Sequence, residues 1–81
     1  MLTEKEFLKK RLKARYELLE KEGEFIGSRF YSSYHVHLFR YHNFYVEMWK
    51  KLGINLIHSI DVVRSHEVLS EYVKDLDLGK L

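Results

Sequence analysis

The chain has 81 residues, 14 basic and 12 acidic side chains, a formal charge of +2, no cysteine and no proline. That length allows one domain, residues 1–81, with a modest core. The absence of thiols excludes disulfides and thiolate zinc sites, no run approaches the ~20 apolar residues of a membrane span, and the charge is too small to mark a polyanion binder by itself.

The polar start, Met1-Leu2-Thr3-Glu4-Lys5-Glu6, lacks the apolar run of a secretory signal. With the cysteine-free composition it predicts a cytoplasmic protein. Residues 3–22 read as one long helix. Thr3 and Glu6 have the spacing of a capping box, and Leu2 and Phe7 that of a hydrophobic staple. Leu8, Leu12, Tyr16 and Leu19 recur at helical spacing among good helix formers. Gly23 suits a left-handed residue at the helix end.

Beyond Gly23 the period changes. Phe25 to Ser33 reads either as a strand or as an extended loop, because Gly27, Ser28, Ser32 and Ser33 interrupt it. Tyr34–Arg40 and Phe44–Lys50 are aromatic and β-branched enough for two strands. His42-Asn43 lies between them, and Asn43 tolerates positive φ. After a turn at Gly53, Ile54–Val62 reads as a further strand. Residues 65–76 read as a short second helix with Ser65 as N-cap and Val68, Leu69, Tyr72, Val73 and Leu76 as its apolar stripe; Gly79 loosens its end. The expected fold is α+β: a long N-terminal helix, an antiparallel meander of three to four strands, and a short C-terminal helix, with both helices on one sheet face.

Strand register decides which side chains meet, because a one-residue slip exchanges the faces. A three- or five-residue connection gathers Val36 and Leu38 with Phe44, Val46 and Met48, and sets His37 opposite Glu47. A two-residue His42-Asn43 turn instead places His35, His37 and Phe39 with Phe44, Val46 and Met48. The first register is preferred because it collects purely apolar residues on one side.

The stretch from Phe25 to Trp49 holds nine of the chain's twelve aromatic residues and three of its five histidines. So many rings exceed what one face of a small core holds. The surplus predicts a docking surface formed by Tyr34, Phe39, Tyr45 and Trp49, with Arg40 and Glu47 supplying orientation and polar pairing. Tyr and Trp suit such a role because they bury area at low entropy cost. The expected function is a small protein-interaction module that self-associates as a dimer, with no enzymatic activity, no cofactor and no membrane contact. The alternative is a single-stranded nucleic-acid binder using the same rings as a stacking platform.

A third reading is a metal protein or a small His-dependent nuclease. His35 and His37 share one strand face about 6.5–7 Å apart by strand rise. Glu47 is a candidate third ligand, and His42 or His58 a fourth. The same His37–Glu47 pair, with Arg29, Arg40 or Lys50 nearby, has the chemical groups of acid–base catalysis. No nucleophile elbow, phosphate loop or His-x-x-x-His signature accompanies them. Lys9, Lys10, Arg11, Lys13 and Arg15 spread around the first helix and read as a solvated face, supported by the pairs Glu6–Lys10 and Lys13–Glu17. His66 falls in the first turn of the last helix, where a positive charge is disfavoured.

Overall fold

The computed structural model describes residues 2–54 and 56–77, with side chains described through Tyr72. The expected contributions of Val73, Leu76 and Gly79 lie outside the described residues. The elements are α1 (Glu4–Lys9), α2 (Leu12–Glu22), β1 (Glu24–Tyr31), β2 (Tyr34–Tyr41), β3 (Phe44–Lys51), β4 (Leu56–Val63) and α3 (His66–Asp77). The α+β class and the antiparallel meander are as expected, and the ambiguous segment before residue 33 is a full strand.

The expected long helix is two helices. Its start forms as predicted: Thr3 N donates to Glu6 Oε1 at 2.9 Å, and Glu6 N donates to Thr3 Oγ1 at 3.1 Å. The backbone N–H of Thr3 holds the Glu6 carboxyl below its usual range. The helix then stops, because Lys10 and Arg11 are extended, with ψ of 156° and 161°. Proline is absent, so the break has another cause: a side chain inserted at the helix end. The Arg15 guanidinium donates to Lys10 O at 2.9 Å, Leu8 O at 2.7 Å and Ile60 O at 2.6 Å. A cation is favoured at the carbonyl end of α1, and here it also ties that end to β4. The break lets Phe7 and Leu19, 0% and 1% exposed, reach one core. Apolar spacing gives no sign of it, since the Leu8–Leu12–Tyr16–Leu19 series runs straight through.

Gly23 closes α2 with φ −82° and ψ 155°, not in a left-handed conformation. Glycine suits this position for lack of room: a Cβ would lie 2.7 Å from the Leu19 carbonyl oxygen.

The four strands run in the order β1-β2-β3-β4, all neighbours antiparallel. Tyr31 pairs with Tyr34 and Tyr41 with Phe44, so both hairpins use two-residue turns. Their first residues, Ser32 and His42, carry positive φ of 54° and 58°, as Gly53 does at 87° in the third turn. Asn43, the residue expected to do so, is not the left-handed one. A left-handed non-glycine residue costs about 1–2 kcal/mol. His42 is held there by its Nε2, 2.9 Å from Glu22 Oε1.

The two-residue turn overturns the preferred register. Phe39 faces Val46, His37 faces Met48 and Leu38 faces Glu47. Residues directly opposite across an antiparallel pair share a sheet face. The first face therefore holds His35, His37, Phe39 and Tyr41 with Phe44, Val46 and Met48. The second holds Tyr34, Val36, Leu38 and Arg40 with Tyr45, Glu47 and Trp49. The preference failed because it assumed both helices on one side. Instead α1 and α2 cover the first face, where Phe7, Leu19, Tyr41, Phe44, Val46, Met48 and Ile60 form the core. Helix α3 lies across the second face: its Tyr72 bonds to Glu47 and Arg29, and the Tyr72 ring lies 3.8 Å from where a Gly27 Cβ would be. Val36 and Leu38 are buried there, in the rows that Arg29 and Glu47 flank. With a helical layer on each side, both faces need apolar residues. Ser65 caps α3 as expected, its Oγ accepting from Glu67 N at 3.2 Å and Val68 N at 3.4 Å.

Candidate interaction surface

The helices cover the first face unevenly. Read across the strands, its rows are Phe30–His35–Lys50–Ile57, then Ser28–His37–Met48–Ile60, then Phe25–Phe39–Val46–Val62, then Tyr41–Phe44. The last rows lie under α1 and α2, where Phe7 meets Tyr41 and Phe44 at ring-centroid distances of 5.3 and 5.8 Å. The β1 side lies open. Phe30 is 69% exposed and Phe25 54%. Phe30 stacks on His35 at 4.3 Å with planes 9° apart, His35 meets His37 at 4.4 Å, and His37 meets Phe25 at 5.7 Å. A strip of rings thus follows the β1–β2 side of the sheet. His37 Nε2 is buried without a hydrogen-bond partner among the described residues. Burial, then the charges of His35 and Lys50, push its pKa below the usual imidazole value.

On the second face the rings form a smaller group near the β1–β2 turn. Trp49 meets Tyr31 at 5.8 Å and Tyr34 at 5.5 Å, both edge-on. Tyr31 is 56% exposed. Beside this group sits a charged network. Glu47, 6% exposed, accepts from Tyr72 Oη at 2.5 Å and from Arg29 Nη2 at 3.2 Å. Arg29 also pairs with Glu71 at 3.4 Å, and its guanidinium lies 5.5–5.8 Å from the ring centroids of Tyr31, Trp49 and Tyr72. Burial opposes the Arg29 charge, but the hydrogen bonds to Tyr72 and Glu47 outweigh it and raise its pKa. Burial and the Glu47 hydrogen bond push the Tyr72 hydroxyl far above its usual value. Tyr72 therefore stays a phenol and Arg29 a guanidinium, and the network pins α3 to the sheet.

The six residues expected to form one docking face are divided. Phe39 lies on the first face, packed against the core, while Tyr34, Arg40, Tyr45, Glu47 and Trp49 lie on the second. Tyr34 and Trp49 touch. Glu47 is buried in the α3 network, and Arg40 is exposed, 3.7 Å from Glu24. His35 and His37 point to the face opposite Glu47, so these three candidate ligands do not converge. His37 and Glu47 form no acid–base pair either. His42 is engaged by Glu22, and His58, exposed on the edge strand β4, lies 5.2 Å from Tyr34. Among the described residues no group of three or more His, Cys, Asp or Glu is placed to hold a metal ion.

Sequence reasoning did not place Phe25, Phe30 and Tyr31 at the surface, and it named Arg29 and Tyr72 in other roles than as partners of Glu47. The signal for the ion pair was present, since Glu47 is the lone acid between residues 25 and 60 and Arg29 the lone cation between residues 25 and 39. No described helix is long and apolar enough to cross a membrane. No known protein family, curated protein or solved structure matches the chain.

Proposed function

We propose that this protein is a small interaction module that self-associates through the β1 edge of its sheet. The observation that carries this reading is an edge strand bearing three rings, Phe25, Phe30 and Tyr31, each more than half exposed. Natural edge strands are guarded by lysine, proline or unpaired charge. β1 has neither lysine nor proline, and both its charges are satisfied internally: Glu24 faces Arg40, and Arg29 faces Glu47 and Glu71. A second copy meets no net repulsion there. The irregularity between Phe25 and Gly27 leaves residues 27–31 as the longest evenly paired run of β1.

A two-fold axis beside β1 would pair the two strands antiparallel and double the four-stranded sheet. Phe30 would then meet its copy's rings on one face, and Tyr31 with Trp49 and Tyr34 on the other. A reducing compartment such as the cytoplasm suits a fold that no disulfide supports. Sedimentation velocity over a hundredfold dilution tests the proposal. A dimer that dissociates on dilution is the expected result, with Phe30→Asp monomeric throughout and unchanged in circular dichroism. A wild-type monomer at the highest concentration would overturn it.

A further inference from the structure

Seven large apolar side chains stand exposed among the described residues, and they fall into two groups. The three rings Phe25, Phe30 and Tyr31 lie on β1. The other four are aliphatic: Leu12, Leu52, Ile54 and Leu56, exposed to 37%, 45%, 52% and 60%. Self-association along β1 leaves this second group unexplained. Leu52 and Ile54 lie in the turn between β3 and β4, and Leu56 opens β4 in the last row of the sheet, opposite Lys51. Leu12 opens α2 and, with Lys13 and Tyr16, lines one hollow with Leu56 and Ile57. All four therefore gather at one end of the molecule. The turn itself stands clear of the rest of the chain, since a Cβ on Gly53 would meet no atom within 4 Å. Its base is fixed, because Leu52 N donates to Ser33 O at 2.9 Å in the neighbouring turn.

The same end is basic. Lys50 and Lys51 lead into the turn and, as successive strand residues, point to opposite faces, so a cation flanks it on each side. Neither has an ion-pair partner among the described residues, and no acidic residue stands between Glu47 and Asp61 in the chain. Lys13 adds a third cation at the hollow that Leu56 lines. It also shares a hollow at the α1–α2 break with Lys9, Lys10 and Arg11, where Glu17 is the one acid among the described residues. The opposite end of the sheet differs: Glu22 and Glu24 stand there beside His42 and Arg40.

We propose that the β3–β4 end docks on a bilayer surface containing anionic lipid. Leu52, Ile54 and Leu56 enter the boundary between headgroups and acyl chains, and Lys13, Lys50 and Lys51 meet the charged headgroups. Shape and charge select that occupant. The projecting side chains are aliphatic and stand on a turn, which suits a deformable hydrocarbon layer, and they include no ring on which a base could stack. The cations around them complement an anionic surface. The expectation of no membrane contact rested on the absence of an apolar span, and docking on a surface needs none. In a dimer paired antiparallel along β1 the two turns lie at opposite ends, so each docks by itself and the two properties are separable by mutation.

Cosedimentation with phosphatidylcholine vesicles holding about 30% phosphatidylserine, against phosphatidylcholine alone, provides the test. Binding to the mixed vesicles at about 0.1 M salt is expected, falling severalfold at about 0.5 M as the headgroup charge is screened. The Lys50→Gln/Lys51→Gln variant should lose about tenfold or more in affinity, at roughly fivefold per lysine. Leu52→Ser/Ile54→Ser should also lose about tenfold or more, while its circular dichroism and its sedimentation without lipid match wild type. No binding to the mixed vesicles, equal binding to phosphatidylcholine alone, or undiminished binding by the lysine variant would overturn the proposal. So would undiminished binding by the turn variant, since charge alone would then be read, as by any polyanion. The monomer–dimer equilibrium, measured without lipid, is independent of each of these results.

Discussion

The covered and open ends of one sheet face differ in what they ask of the same kind of residue. At the covered end Phe7, Tyr41 and Phe44 pack ring to ring beneath α1, and Tyr41 donates its hydroxyl to Glu22 at 3.1 Å. At the open end Phe30, His35, His37 and Phe25 also pack ring to ring, yet one side of the strip meets solvent. Aromatic clustering alone therefore does not mark a core. What separates the two ends is the reach of the N-terminal helices, which lie over β2, β3 and β4 rather than over β1.

The sharpest test of this contrast is a pair of phenylalanine truncations. Phe7→Ala should cost about 3–5 kcal/mol, as fully buried rings do. That is a large part of the ~4–12 kcal/mol available to a chain of 81 residues. Phe30→Ala should stay within about 0.5 kcal/mol, since its ring is exposed. Urea unfolding of dilute samples measures both, and equal losses would erase the distinction between the two ends.

Next in size is Arg15→Leu. Three carbonyls lose a charged donor at once, so a loss of about 2–4 kcal/mol is expected. Amide exchange should show the Lys9–Leu12 region loosening first. Tyr72→Phe asks whether the second face depends on its polar clasp. It removes one donor from a buried carboxylate and should cost about 1–2 kcal/mol, with α3 exchanging faster than β3.

The smallest effect is a pH slope. The pKa of His37 is depressed in the fold, so the unfolded chain binds the proton more readily. Stability is therefore full above the unfolded value near 6.5 and falls as pH drops from there toward the lower folded value. Urea midpoints at pH 7.5, 6 and 5 should fall less steeply for His37→Leu than for wild type. Identical slopes would show that His37 titrates as freely in the fold as outside it.

The elements themselves were legible in the sequence. The Thr3–Glu6 box, the Ser65 cap and the two strong strands all follow from local chemistry that needs no tertiary information. The break at Lys10–Arg11 was not legible, because it depends on the Ile60 carbonyl, forty-five positions from Arg15 in the chain. Register was misjudged for a related reason: Val36 and Leu38 are apolar on behalf of α3, a partner that strand patterning cannot assign to a face. The candidate site suffered most. Glu47 belongs to a network with Arg29 and Tyr72 drawn from β1 and α3, while Phe25 and Phe30 matter because β1 is an edge, which only the strand order reveals.

Arg15 also bears on the order in which the parts become native. One of its three acceptors belongs to β4, so residues 4–22 made alone lack a contact that holds them bent. Two acceptors, Leu8 O and Lys10 O, stay within that segment, so a peptide of residues 4–22 is expected to hold the angle less firmly than the complete chain. The Ile60 carbonyl supplies the remaining hold, which ties the shape of the amino-terminal segment to the presence of the fourth strand.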